Sequence, residues 1–130
     1  MFKRILVPVD GSATSMNGLG KAMRMAKASG ARLRILHVVD GIAFSRRHSM
    51  FTATAAKFRE SGRKLLREVM ANLRDQKLMA ESRLVENLTG RAAETIIKEA
   101  GKWKADVIVM GTHGRRGINR LMLGSDAELV

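Results

Sequence analysis

The chain has no cysteine, no tyrosine and a single proline, Pro8, in 130 residues. Lack of cysteine excludes disulfide frameworks, thiolate zinc sites and thiol nucleophiles, and leads to the expectation of a reducing, cytoplasmic compartment. No apolar run approaches the roughly 20 residues of a membrane-spanning helix, and the stretch from Ile5 to Val9 is too short for a secretory signal. No membrane partner is expected. Acids are scarce as well, 12 against 24 Lys and Arg, which leaves a formal charge of +12. That surplus directs attention to polyanions. A nucleic-acid surface, however, gathers its charge and interleaves aromatic platforms. Here the aromatics are only Phe2, Phe44, Phe51, Phe58 and Trp103, most at plausible core positions, and the basic residues are scattered from Lys3 to Arg120. Nucleic acid is not expected as the principal ligand.

The length suits one domain spanning residues 1–130. Short β-rich runs alternate with longer helical patterns along it. Lys3 to Val9 reads as a strand, broken by Asp10-Gly11-Ser12. Met16, Leu19, Met23 and Ala26 then recur at helical spacing until Ser29-Gly30 supplies a stop. Leu33 to Val39 is a second strand, followed by an irregular stretch, Ile42 to Phe51. A long helix is expected from about Thr52 to Gln76, with Phe58, Gly62, Leu65, Leu66, Val69, Met70 and Leu73 on the face that covers the sheet. A weaker strand, Ser82 to Asn87, turns at Thr89-Gly90 into a helix carrying Ala93, Ile96, Ile97 and Ala100. Asp106 to Met110 is a continuous apolar run after its first residue, as expected of a strand buried on both faces. The alternation specifies an α/β fold: a single, doubly wound, mainly parallel sheet with helices on both faces.

In such a sheet a ligand sits beyond the carboxyl ends of the strands, where the strand order reverses. The segments there are Pro8 to Ser12, His37 to Gly41, and Met110 onward. The last contains Gly111, Gly114, Gly117 and Gly124-Ser125. Glycines after a buried strand let backbone approach a ligand closely. A helix starting at Gly124-Ser125 would offer free amides and a positive dipole end to a phosphate. On local chemistry alone the glycines equally well shape a loop, and Ser125 equally well caps a helix. There is no Gly-x-x-x-x-Gly-Lys-Ser/Thr phosphate loop and no Gly-x-Gly-x-x-Gly after the first strand. Gly18-Leu19-Gly20 lies inside a helical pattern and reads as close packing.

Gly111, two residues, Gly114, nine residues, then Gly124-Ser125 resembles the nucleotide-binding signature of the universal stress protein family. Val7-Pro8-Val9-Asp10-Gly11-Ser12 and His37-Val38-Val39-Asp40 resemble that family's other ligand-contacting segments. The resemblance implies a Rossmann-like fold and a site for ATP, ADP or AMP. By position, Asp10 would bond the ribose or adenine, the Val38 backbone would pair with the adenine edge, and Pro8 and Met110 would lie beside the nucleoside. Gly111, Gly114, Arg115 and Gly124 would wrap the phosphates, with Ser125 capping them and Thr112 and His113 in the same loop. Taken alone, Asp10 also reads as a helix cap, His113 as a loop histidine, and Arg115, Arg116 and Arg120 as solvated.

Asp126 departs from the family pattern, which has a small or apolar residue there. Its carboxylate would repel a terminal phosphate unless it helps hold magnesium, so magnesium-dependent triphosphate binding is expected. The sequence stops at Val130, short of the helix remainder and final strand of the family pattern. The homodimer that the resemblance implies therefore rests on analogy, and the sheet edge beside the fourth strand is expected to be uncovered. A nucleotide-dependent stress-response regulator with an unidentified protein partner is the favoured function. The first alternative is a slow ATPase or a phosphoryl or nucleotidyl transferase using Asp10 or His113 as base, although no catalytic set and no protein-ligated metal site is visible. The second is a basic module for nucleic acid or protein, with Ser45-Arg46-Arg47-His48 as its best local candidate.

Overall fold

In the computed structural model, which describes residues 2–40, 48–87, 91–111 and 120–123, five strands form one sheet in the order β3-β2-β1-β4-β5. The strands are β1 (Arg4–Pro8), β2 (Arg32–Asp40), β3 (Ala80–Asn87), β4 (Val107–Met110) and β5 (Arg120–Leu123). The helices are α1 (Ala13–Ser29), α2 (His48–Asp75) and α3 (Ala92–Trp103). β1 to β4 are mutually parallel, with Ile5 opposite Leu33 on one side and Val107 on the other. β5 is antiparallel to β4.

Alternation along the strands divides the core in two. Ile5, Val7, Leu33, Ile35, Val107 and Val109 face α1 and α2, where Leu19, Ala22, Leu66, Val69 and Leu73 meet them. Leu6, Leu36 and Ile108 face α3 through Ile96 and Ala100. Helices thus cover both faces, and β1 after Arg4 and β4 read apolar because neither face meets water, whereas β2 carries Arg34 and His37 within its apolar run. On the α3 face two charged side chains are tied down: Glu99, nearly fully buried, accepts from Arg83 at 2.6 Å, and Arg34 stacks 4.8 Å from the Trp103 ring centroid.

Four local expectations are corrected. The edge beside β4 is not uncovered: β5 pairs along it, Met110 opposite Arg120 and Val107 opposite Leu123. Phe58 is 52% exposed rather than packed on the sheet. The stripe buried on α2 runs through Ala55, Gly62, Leu66, Val69 and Leu73, and at 3.6 residues per turn Phe58 lies about 60° off its centre. Met16 is likewise 37% exposed, because α1 buries Ser15, Gly18, Leu19 and Ala22 instead. Small residues let that helix approach the sheet more closely than a methionine would. α2 also starts at His48, earlier than the apolar periodicity indicated.

At the amino end of the sheet, Asp106 ties the starts of β1 and β4 together. Its carboxylate accepts from the Lys3 and Arg4 amides at 2.7 and 2.8 Å. The Arg4 amide first and the Lys3 amide second stabilise the charged form and lower its pKa below the usual carboxylate value. A carboxyl group that is more acidic in the folded state contributes stability above its unfolded pKa, about 3.9, and loses it as pH falls through the lower folded value. Asp106→Asn is therefore expected to melt below the parent protein at pH 7. Thermal melts from neutral to strongly acidic pH should show the gap closing as the parent's carboxylate takes up its proton.

Candidate functional site

β1 and β4 are neighbours although three helices and two strands separate them in sequence, so the strand order reverses between them. At their carboxyl ends lies a cleft of about 250 Å³. Its floor is Pro8 and Val9 from β1 and just beyond, with Leu36 and Val38 from β2. Met110 and Gly111 close one side, Ala92 and Ile96 of α3 another, and Asp10 and Ser15 stand at the entrance to α1.

The turn from β1 to α1 is built by short polar side chains. Asp10 Oδ1 accepts from the Ser12 amide at 2.8 Å, and Gly11 takes φ +87°, a conformation that side chains disfavour. Ser12, not Asp10, is the helix cap: its Oγ accepts from the Ser15 amide at 3.1 Å. Ser15 Oγ, buried, accepts from the Asp10 amide at 3.2 Å and donates to the Ser12 carbonyl at 3.1 Å. Asp10 is thus held at the exposed rim with its backbone fixed from behind.

Backbone groups of β2 also face the cleft. Leu36 accepts from the Val9 amide at 2.8 Å, and Leu33 donates to Met79 of the β3 side at 2.9 Å. Even-numbered residues of β2 therefore turn their amide and carbonyl toward β1, and odd-numbered ones toward β3. Val38 is even-numbered, and β1 ends at Pro8 opposite Leu36, so the Val38 amide and carbonyl point past the end of the β1 ladder. His37 secures the wall from outside: its Nδ1–H donates to the Val9 carbonyl at 2.8 Å. The imidazole lies so close to Gly62 of α2 that a Cβ there would come within 2.5 Å of the ring.

Gly111 fixes the opposite wall. A Cβ on it would fall 1.9 Å from the Thr14 carbonyl oxygen, and one on Gly18 would fall 2.8 Å from the Gly111 amide nitrogen. α1 and the end of β4 are therefore in backbone contact at the mouth of the cleft.

Of the residues singled out from sequence, Pro8, Asp10, Val38, Met110 and Gly111 surround this one cleft. Thr112, His113, Gly114, Arg115, Gly124, Ser125 and Asp126 lie outside the described residues, as do Arg116 and Ser45-Arg46-Arg47. β5 runs from Arg120 beside Met110 to Leu123 beside Val107, carrying the chain toward the amino end of β4. Ser15, Ala92, Ile96 and Leu36 also line the cleft. Sequence reasoning passed over these four. Only Ser15 carried a usable signal, the Ser-x-x-Ser spacing at the start of a helix. Among the described residues no three of His, Asp and Glu gather to hold a metal ion, and no helix is long and apolar enough to cross a membrane.

The sequence profile of the universal stress protein family matches residues 1–130. The chain belongs to that family. It is 35% identical to a universal stress protein of Methanocaldococcus jannaschii, over 100% of this chain and 76% of the relative. It is 34% identical to one of Thermus aquaticus, over 100% and 91%. Among solved structures, a universal stress family protein from Burkholderia pseudomallei is 34% identical with a TM-score of 0.77, covering 85% of this chain and 82% of that one. Two more distant family structures share the fold: one in complex with cAMP, at 23% identity and TM-score 0.62 over 84% and 75%, and one from Arabidopsis thaliana with AMP bound, at 17% and 0.66 over 87% and 78%.

Proposed function

We propose that this universal stress family chain binds an adenine nucleotide in the cleft beyond β1, β2 and β4, and acts as a nucleotide-dependent regulator. The observation that carries the proposal is the outward-facing amide and carbonyl of Val38 above an apolar floor, at the point where the strand order reverses. A donor and an acceptor side by side match the edge of adenine, and Pro8, Ile96 and Met110 offer apolar contact to its faces. Asp10 at the rim is an acceptor for a ribose hydroxyl. The cleft, about 250 Å³, is at the small end for ligand pockets and suits a nucleoside better than a whole triphosphate. Its phosphates would leave past Gly111. The family structures with cAMP and AMP support this choice of ligand class.

Gly114, Arg115, Gly124 and Ser125 are assigned to the phosphates by the family pattern. β5 carries the chain away from the cleft, so contact through Gly124 and Ser125 requires Arg120–Leu123 to leave the sheet edge. Four residues paired on one side are a small barrier to such release. A ligand that favours one of two chain arrangements is sufficient for a switch, and hydrolysis is not required.

Calorimetric titration with adenosine, AMP, ADP and ATP, alongside native mass spectrometry of freshly purified protein, tests this reading. Micromolar binding, about −8 kcal/mol, of at least one nucleotide without its consumption is expected. Absence of heat and of a bound-nucleotide mass would overturn it. The same titration of ATP with and without magnesium, repeated on Asp126→Ala, examines the proposed metal dependence: the parent should need magnesium and the variant should not.

A further inference from the structure

β3 is an end strand of the sheet, so along its outer side the backbone groups face no sixth strand among the described residues. The pairing fixes which groups these are. Met79 accepts from the Leu33 amide, so odd-numbered residues of β3 point their amides and carbonyls inward to β2. Ala80, Ser82, Leu84 and Glu86 point theirs outward. Such an edge is a template for another strand.

Beside it runs a groove of about 490 Å³, between α2 and the α2-facing side of β3. Leu66, Met70 and Leu84 form its floor, with Ser82 beside them, and Arg63, Arg67 and Arg74 line it. The eleven steps from Arg63 to Arg74 span about 16 Å of helix, the length of about five extended residues. The positive charge there is largely uncompensated. Glu60 alone is shared between Arg63 and Arg67, at 3.6 and 3.5 Å, with all three side chains more than half exposed, an arrangement that neutralises little. Arg74 makes no ion pair among the described residues. On the other face of β3 the charges are already matched, Glu81 with Arg34 and Arg83 with Glu99.

We propose that the outer edge of β3 and the arginine-lined groove beside it form a docking site for an extended acidic segment of a partner protein, added to the sheet as a further strand. The ladder supplies direction-specific backbone bonds, and alternate acidic side chains reach the guanidiniums, which suit carboxylates geometrically. Nucleic acid fits less well: it has no amide ladder, and no aromatic ring lines the groove. A second copy of this chain also fits less well. The groove-side residues of its own β3 are Ala80, Ser82, Leu84 and Glu86, and that one acid is already paired to Arg59 at 2.9 Å. This inference does not depend on nucleotide binding.

The test is fluorescence anisotropy of the full chain with a labelled eight-residue peptide of alternating glutamate and valine. Comparison probes are an alternating lysine–valine peptide, an eight-nucleotide oligothymidylate, and two glutamate–valine peptides N-methylated at alternate residues, one on the glutamates and one on the valines. The acidic peptide should bind, the lysine peptide should not, and one methylated isomer should lose about tenfold while the other binds, since strand addition uses every second amide. The double variant Arg67→Glu with Arg74→Glu should lose about tenfold with an unchanged melting temperature. Equal binding of both methylated peptides, tighter capture of the oligonucleotide through the same arginines, or self-association through β3 that the acidic peptide fails to compete away would each overturn the proposal.

Discussion

Gly111→Ala is expected to destabilise the protein by about 3 kcal/mol, at the upper end of overpacking effects, and to open the cleft in the process. The added Cβ would stand 1.9 Å from the Thr14 carbonyl oxygen and 2.5 Å from its carbon. Both are backbone atoms of the first turn of α1, so no side chain can rotate away, and the whole helix start must lift. The two backbones are already close on the other side of the contact, since a Cβ on Gly18 would fall 2.8 Å from the Gly111 amide nitrogen. Gly20→Ala, two residues further along α1, is the control. Nothing lies within 4 Å of a Cβ there, and alanine in place of a helical glycine should stabilise by about 0.5–1 kcal/mol. Thermal and urea melts of both variants check the pair. A fall in melting temperature of about 10 °C for Gly111→Ala beside a small rise for Gly20→Ala is expected, and an unchanged Gly111→Ala protein would mean that α1 is not in backbone contact with the end of β4.

That contact also shows where sequence was legible and where it was not. Apolar periodicity selected Met16, Leu19, Met23 and Ala26 on α1; Leu19, Met23 and Ala26 are buried as expected, but close backbone approach selects small residues, so Ser15, Gly18 and Ala22 share that face and Met16 does not. Reading Gly18 as a packing glycine was correct, whereas Gly20 meets nothing. The parallel core strands were legible because each is buried on both faces and bounded by turn chemistry, Ser12 capping one helix and Gly30 closing it at φ +73°. β5 was not, since Arg120-Leu121-Met122-Leu123 is short, lies among glycines, and owes its pairing to the edge that β4 offers rather than to a pattern of its own. The cleft divides in the same way. Pro8, Asp10 and Met110 stand at strand ends that sequence marks, while Ala92 and Ile96 reach it only because α3 crosses back over the sheet.

Two variants should separate the halves of the proposed nucleotide site. Ala92 is exposed at the first turn of α3 and lines the cleft, so Ala92→Phe can project a ring into a space of about 250 Å³ without disturbing the core. It should weaken adenosine, AMP and ATP alike, by about 100-fold, because the nucleoside half is common to all three. Gly124→Val combined with Ser125→Ala should act on the phosphates alone under the proposed assignment of these two residues. Charge-assisted contacts contribute about 1.5–3 kcal/mol each, so ATP should lose about 100-fold while adenosine changes less than about threefold. The second variant also probes β5, because Gly124 follows Leu123, which pairs with Val107 at the far end of β4. Loss confined to ATP, together with faster amide exchange of Arg120–Leu123 when the parent binds ATP, is the result expected if phosphates draw this strand off the edge. Equal ATP affinity in the parent and the double variant would mean that β5 stays paired and that the phosphates are held by the segment next to Gly111 alone.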